Sequence, residues 1–163
     1  MDELITKLAK DLRRTLEEND NYLGESGMPF FGMFPENCCQ GTSVFLGMLL
    51  SHFLTRDMIK VVRGSTRDRL YHHFWVEVDS KIYDLTLDQF HETMNGKYKG
   101  IEKPVYGEDK HPLRNYFFYK EKMSAVLAFS IFVQNHANLK DVLPAYQFIR
   151  KKIEKMGWEI SGS

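Results

Sequence analysis

The sequence is poor in the features that mark several protein classes. Only two cysteines occur among 163 residues, which excludes a disulfide-stabilised scaffold. Lysine plus arginine (22) equal aspartate plus glutamate (22), so the basic excess typical of proteins that bind nucleic acid or anionic membranes is missing. The longest apolar run, 44–50, reaches Leu54 only by including Ser51 and His52, and is too short and polar for a membrane span.

The N-terminal stretch also lacks the apolar core and cleavage site of a signal peptide. We therefore expect a cytoplasmic protein that binds neither nucleic acid nor membrane. Hydrophobic residues make up 43% of the chain and aromatic residues 13%, and no repeat or low-complexity tract divides it. Residues 1–163 are thus expected to form a single domain.

The spacing of apolar residues predicts helices over 2–18, 38–54 and 141–156, and favours a helix over 125–133. Runs rich in β-branched and aromatic residues predict strands over 59–62, 71–78, 81–87 and 116–119. Glycine- and proline-rich segments predict loops over 19–37 and 95–115. This mixture predicts an α+β fold with helices at both ends of the chain.

The two cysteines are adjacent and open the second predicted helix. Cys38 and Cys39 follow Asn37, a suitable N-cap, in the stretch FPENCCQGTSVFLGMLL. In a reducing compartment both are free thiols, and the first turn of a helix stabilises a thiolate through unpaired N–H groups and the helix dipole. Either cysteine is therefore a candidate nucleophile.

A base and an orienting carboxylate are available in the hairpin predicted for residues 71–87. With a two-residue turn at Asp79 and Ser80, His73 and Asp84 lie diagonally across the two strands on one face, at a Cα spacing of roughly 7–8 Å. His72 points to the opposite, more apolar face and is expected to be a half-buried structural histidine. A three-residue turn would reverse the two faces.

Taken together, these residues resemble those of a known family. A cysteine that begins a helix, the H-x-W-V-E-V strand of residues 73–78 and the D-L-T of residues 84–86 are similar to the transglutaminase-like branch of the papain-like fold, over about residues 34–90. The fragments F-P-x-x-C-C and E-V-D-x-x-I-x-D-x-T-x-D-Q-F are similar to uncharacterised bacterial transglutaminase-like proteins. The resemblance implies a cysteine-bearing helix packed on an antiparallel sheet and a catalytic triad of Cys39, His73 and Asp84.

The family pattern fits both cysteines, and Cys39 slightly better. The small residue usual four positions after the nucleophile is Ser43 from Cys39 and Thr42 from Cys38. The chain departs from the pattern in two ways: the glycine usual before the cysteine is missing, and Leu85 stands where many members have proline. The alternates for the three catalytic roles are Cys38, His72 and Asp88.

The activity that the resemblance implies is acyl transfer. Cys39 attacks an amide carbonyl, His73 protonates the leaving group, and water or an amine resolves the thioester. A peptidase or amidase acting on a peptide or protein is the first expectation; the alternatives are a glutamine deamidase or protein-crosslinking transglutaminase, and a non-catalytic binding module on the same fold. Oxyanion donors are expected from the backbone N–H of Cys39 and from Gln40 or Gln89, and Trp75 is a candidate wall of the cleft.

A zinc site is another use to which these side chains are suited. Two thiols, two histidines and a carboxylate form an adequate ligand set, but adjacent Cys-Cys and His-His pairs diverge in direction and form no C-x-x-C motif. No metal and no other cofactor is therefore expected. The remaining histidines show no metal-ligand spacing and are expected to be surface or structural residues: His52, His91, His111 and His136.

Overall fold

The computed structural model describes residues 1–94 and 96–160. The α-helices within these residues are Asp2–Glu18 (α1), Asp20–Glu25 (α2), Cys39–Leu50 (α3), Ala125–Asn135 (α4) and Leu139–Lys155 (α5). The strands are Ile59–Ser65 (β1), His72–Val78 (β2), Lys81–Asp84 (β3), Val105–Glu108 (β4) and Tyr119–Met123 (β5), and short 3₁₀ helices span Arg56–Met58 and Leu87–Phe90. The predicted α+β class is confirmed. None of the helices in the described ranges has the length and apolar character needed to cross a membrane.

The strands form one five-stranded sheet in the order β4-β3-β2-β1-β5, and all neighbouring strands are antiparallel. Alternate residues of the central strands point to opposite faces, so the sheet has an apolar cluster on each side. Val61 and Val76 pack against the helices in the larger cluster. Val62 and Trp75 pack on the other face against residues of the long connection between β3 and β5, among them Ile101 and Leu113. That second face also carries His73 and Asp84, which have the same parity as Trp75.

The β2–β3 hairpin closes through the predicted two-residue turn. Asp79 and Ser80 have φ angles of 49° and 69°, a left-handed pair typical of the tight turns that match the strand twist. Val78 consequently pairs with Lys81. The predicted register is confirmed, and it places His73 on the same face as Trp75.

Helix α1 follows its sequence signal closely. Its buried residues include Ile5, Leu8, Leu12 and Leu16, which recur at helical spacing, and acidic residues occupy its first turn. The predicted helix over 125–133 is also present as α4. The last helix begins earlier than predicted, because the side chain of Asn138 accepts a hydrogen bond from the N–H of Lys140 and caps it. Pro144 is therefore inside the helix rather than in its first turn.

Several predicted boundaries were wrong. Helix α3 is shorter than 38–54, with Cys38 rather than Asn37 at the N-cap position, because Asn37 has a left-handed φ of 61°. The segments predicted as loops contain α2 and β4, two short elements whose local sequence is rich in turn formers. Asn95, in the second of these segments, lies outside the described residues. The strand expected over 116–119 is β5, which begins at Tyr119, and its charged sequence Y-K-E-K-M suits the edge of the sheet.

Candidate active site

The side chains of His73 and Asp84 meet between strands β2 and β3. Nε2 of His73 lies 2.6 Å from Oδ2 of Asp84, and both side chains are fully buried. Because an ionised carboxylate only accepts hydrogen bonds, Nε2 carries the proton and donates it. This leaves Nδ1 as the nitrogen of His73 that is free for chemistry.

A second histidine donates to the same carboxylate. Nε2 of His111 lies 2.7 Å from Oδ2 of Asp84, and Nδ1 of His111 accepts the backbone N–H of Leu113 at 3.0 Å. A nitrogen that accepts an N–H bond has no proton, so His111 is neutral with its proton on Nε2. Oδ1 of Asp84 accepts the backbone N–H of Thr86 at 3.1 Å, and the carboxylate is thus held by three donors.

Sequence reasoning missed His111. It was expected to be a surface or structural residue, whereas it is buried in contact with the central carboxylate of the site. No local signal marks it, because His111 and Asp84 are brought together by the long connection between β3 and β5. The ring of Trp75 stacks on His111 with centroids 4.1 Å apart and an interplanar angle of 30°.

Cys39 is the first residue of α3, and its partly exposed side chain lies next to His73. The thiol is close enough to raise the pKa of His73, although Nδ1 of His73 makes no hydrogen bond. Since Nε2 is occupied by Asp84, the thiol lies on the Nδ1 side of the ring. Catalytic hydrogen bonds are often poorly aligned without substrate and tighten when it binds.

The charges of His73 and Asp84 stabilise each other. Burial alone would lower the pKa of His73, but the charge and hydrogen bond of Asp84, with smaller contributions from Cys39, raise it above its usual value. Burial alone would raise the pKa of Asp84, but the charge of His73 and the hydrogen bonds from His111 and His73 hold it well below its usual range. The pair therefore favours an imidazolium beside a carboxylate.

Cys38 has a different environment from its neighbour. Its side chain is 1% exposed, and its single S–H is shared between the backbone carbonyls of Phe30 and Glu36, both 3.3 Å from the sulfur. Burial, reinforced by the charges of Asp20 and Cys39, raises the pKa of the Cys38 thiol to about 12. Cys38 is therefore protonated at neutral pH, and its hydrogen bonds hold the loop that precedes α3.

A cleft of about 410 Å³ opens beside Cys39 and is also lined by Gln40 and Gln89. Cys39 and Gln40 are the first two residues of α3, so their backbone N–H groups have no partner within the helix. Gln89 accepts the N–H of Asn37 at 3.2 Å and donates to the carbonyl of Thr86 at 3.0 Å. It ties the segment after β3 to the loop before α3.

Other predicted site residues have different positions. Trp75 does not form a wall of the cleft, since it is 1% exposed and packed in the second apolar cluster. His72 is exposed rather than half-buried, because it lies at the start of β2, where its Nδ1 is 2.7 Å from Oγ of Ser65. Asp88 forms a two-pronged ion pair with Arg13, at 2.7 and 2.8 Å, and not with either histidine of the site.

His73, Asp84 and His111 are the one group of described residues whose ligand atoms lie close enough for a metal ion, all within 4.8 Å of one another. Both histidine nitrogens, however, are at hydrogen-bond distance from the same oxygen, 2.6 and 2.7 Å. Ligand atoms of one tetrahedral ion at bond lengths of about 2.0–2.2 Å are farther apart than this. The three side chains therefore fit a hydrogen-bonded relay better than a metal site.

Of the residues proposed for the triad, the structure brings Cys39, His73 and Asp84 together and leaves the three alternates in other contacts. Gln40 and Gln89 line the cleft as expected. The chain matches no known protein-family model, no curated protein and no solved structure.

Proposed function

We propose that the protein is a cysteine-dependent acyl-transfer enzyme that hydrolyses an amide bond of a peptide or protein. Cys39 is the nucleophile, His73 the acid and base, and Asp84 the orienting carboxylate. One observation carries this proposal: His73 is fixed by Asp84 through Nε2, with Nδ1 unpaired on the side of the Cys39 thiol. A nucleophile, a base and a group that orients the base form the minimal set for covalent catalysis.

We also assign the core to the transglutaminase-like branch of the papain-like fold. The support is the arrangement of its parts: a helix that begins with the nucleophile, packed against a sheet whose adjacent strands carry the histidine and the aspartate. A free thiol nucleophile suits the reducing cytoplasm, which is the compartment we propose.

In the first half-reaction, His73 is an imidazolium that holds the proton on Nδ1, and the Cys39 thiolate attacks the carbonyl carbon. The tetrahedral adduct then collapses as Nδ1–H of His73 protonates the departing amine, which breaks the C–N bond and leaves a thioester on Cys39. Asp84 stabilises the imidazolium until it gives up this proton. The raised pKa of His73 agrees with a ring that is protonated before the attack.

In the second half-reaction, Nδ1 of His73 accepts a proton from water, and the resulting hydroxide attacks the thioester carbonyl. The C–S bond breaks and the acid product leaves. The proton stays on Nδ1 of His73 beside the Cys39 thiolate, which restores the starting pair. The backbone N–H groups of Cys39 and Gln40 are suited to stabilise the oxyanion of both adducts, because they are unpaired at the helix terminus beside the nucleophile.

The test needs no substrate. Iodoacetamide labelling of intact protein is followed by mass from pH 5 to pH 9 for the wild type, Cys39→Ala, His73→Gln and the matched control Cys38→Ser. We expect one thiol to react rapidly below the ordinary thiol pKa of about 8.5. The fast reaction should be lost in Cys39→Ala and kept in Cys38→Ser, and slowed by on the order of a hundredfold in His73→Gln, as is typical for loss of a general base.

A wild type whose thiols react only as ordinary exposed cysteines, with His73→Gln unchanged, would favour the non-catalytic binding module. The acyl acceptor is tested separately, by incubating the protein with glutamine-containing peptides and a labelled primary amine. Incorporation of the amine would favour a crosslinking transglutaminase, release of ammonia alone a glutamine deamidase, and cleavage of the peptide chain the hydrolase proposed here.

A further inference from the structure

The cleft beside Cys39 has no charged wall. Among the described residues that line it there is no lysine, arginine, aspartate or glutamate. Its polar groups are amides, histidines, the Cys39 thiol and tyrosine hydroxyls, and aromatic rings supply much of the rest, including Phe74, Phe90 and Phe117. A charged side chain of a substrate would lose its hydration in this cleft without gaining an opposite charge, which is unfavourable.

The β1–β2 loop contains three charged residues, but each of them has a partner outside the cleft. The guanidinium of Arg67 lies 3.9 Å from the ring centroid of Phe118, and that of Arg69 lies 3.9 Å from the ring centroid of Tyr119. The carboxylate of Asp68 accepts a hydrogen bond from the hydroxyl of Thr66 at 2.5 Å. The loop therefore turns its charges away and its apolar residues towards the cleft.

Those apolar residues are Leu70 and Tyr71, which line the cleft while remaining 72% and 64% exposed. A single exposed leucine or tyrosine on a protein surface needs no explanation. Two adjacent ones beside a partly exposed nucleophile, with further aromatic rings next to them, form a surface suited to bind an apolar group.

Phe30 contributes a third exposed apolar side chain from a different loop. It is 53% exposed and lines the same cleft, and its φ of 69° is unfavourable for a bulky residue. The carbonyl of Phe30 contacts the thiol of Cys38, and its ring packs edge-on against His136, which also lines the cleft. Unfavourable backbone conformations of this kind are concentrated at functional sites.

We propose that the cleft binds a bulky, uncharged apolar side chain on the acyl side of the scissile bond, in contact with Phe30, Leu70 and Tyr71. This inference rests on the proposed function, since it names the substrate class of the Cys39 site. Substrates that carry glutamine or a charged residue next to the scissile carbonyl should react slowly.

The test uses N-acetyl aminoacyl chloromethyl ketones with the side chain of Phe, Leu, Ala, Gln, Asp or Lys. The Cys39 thiolate displaces chloride from each reagent and forms a thioether, so every reaction reports the same bond. We expect the Phe and Leu reagents to react at least about tenfold faster than the others, since a well-filled apolar pocket discriminates by roughly 10–200-fold per group. Iodoacetamide, which has no side chain, gives the reference rate.

The variants are Leu70→Ala and Tyr71→Ala, with Leu127→Ala as the matched control. Leu127 lies on α4, away from the cleft, and is 50% exposed, so Leu70→Ala and Leu127→Ala remove the same atoms from similarly open positions. Each cleft variant should lower the ratio of the Phe to the Ala rate by about three- to tenfold, with both rates taken relative to the iodoacetamide rate of the same variant. Leu127→Ala should keep both the ratio and the rate.

The outcomes separate the two proposals. Rapid iodoacetamide labelling of Cys39 with equal rates for all reagents, or with faster Asp or Lys reagents, would overturn the substrate class and leave the acyl-transfer function standing. Equal loss of selectivity in Leu70→Ala and Leu127→Ala would show that the selectivity does not come from this cleft. Slow labelling of Cys39 by iodoacetamide would overturn the function and the inference with it.

Discussion

His73 and His111 donate to the same oxygen of one carboxylate, with their ring centroids 6.0 Å apart. The Asp84 oxygen that orients the proposed base is therefore itself fixed by a second donor. The neutral state of His111 is imposed by the backbone N–H of Leu113. His111 is in this sense a positioning residue, which acts on His73 through Asp84.

Replacing His111 should affect both stability and reactivity. His111→Phe removes a hydrogen bond to a buried charge and should reduce the free energy of unfolding by about 1.5–3 kcal/mol. The Cys39 labelling rate should fall as well, because Asp84 and His73 lose a fixed position. Urea unfolding and iodoacetamide labelling measure the two effects.

His111→Gln is the control for this prediction, because its side-chain amide retains an N–H that can reach Asp84. It should recover a large part of the labelling rate that His111→Phe loses. Equal labelling rates in the wild type and His111→Phe would show that His111 does not position His73 through Asp84.

The pH dependence of stability follows from the two shifted groups. Asp84 raises the pKa of His73 despite burial. The protonated imidazole therefore stabilises the fold fully below its unfolded pKa of about 6.5, and this contribution decreases as the pH rises above that value. His73 and His111 lower the pKa of Asp84 despite burial. The ionised carboxylate therefore stabilises the fold fully above its unfolded pKa of about 3.9, and this contribution decreases as the pH falls below that value. The pair should therefore contribute most between about pH 4 and pH 6.5.

The measurement is the free energy of unfolding of the wild type minus that of Asp84→Asn, from pH 3 to pH 9. The Asp84→Asn substitution keeps the size of the side chain and removes the charge, and His73→Gln serves as a second variant that removes the other partner. A difference that is independent of pH, or smallest in the predicted window, would contradict the assignment of the charges.

Gly64 makes room for the aromatic packing behind the site. It pairs with His73 across β1 and β2, and a Cβ added there would lie 2.6 Å from the ring of Trp75 and 2.8 Å from Cβ of Phe117. Gly64→Ala should cost about 1–3 kcal/mol of stability through overpacking. It should also slow Cys39 labelling, because Trp75 stacks on His111.

Gly47→Ala makes the same chemical change in α3, where the nearest atom to an added Cβ is 3.2 Å away. The cost of bringing the added Cβ this close to its neighbour is offset by the better helix propensity of alanine, which contributes up to about 1 kcal/mol. The net effect on the unfolding midpoint should therefore be small. Similar losses in the two variants would argue against a specific clash at Gly64.

The ion pair of Arg13 and Asp88 attaches α1 to the segment that follows β3. Arg13 also donates to the carbonyl of Leu85 at 2.6 Å. Arg13→Lys cannot form the same fork and should cost about 1–2 kcal/mol of stability. Asp88→Asn should likewise lower the urea midpoint but leave the Cys39 labelling rate unchanged; a strong loss of labelling would restore Asp88 as an orienting carboxylate.

The contact between His73 and Asp84 could be predicted because it depends on local sequence. A two-residue turn fixes the register of a hairpin, and side chains alternate strictly along its strands, so the parity of two residues follows from counting. Helix α1 could also be predicted from the sequence, because its leucines recur at a constant helical spacing.

The role of His111 could not be predicted in this way. It reaches Asp84 through a connection of irregular structure, whose path depends on packing with Ile101, Leu113 and Phe117 rather than on any periodic pattern. The choice between the two cysteines was also beyond the sequence, since both fit the motif. It depends on which thiol points inward, and the loop before α3 decides this by offering carbonyls to Cys38.

His73 is fully buried, whereas Cys39 is partly open to the cleft. The rings of Phe90 and Phe117 cover His73 at centroid distances of 4.8 and 5.4 Å. In the proposed hydrolysis, water would therefore reach His73 from the side of Cys39, through the same opening by which the first product departs. The amine would have to leave this opening before water enters it, which is the order that the proposed thioester intermediate also requires.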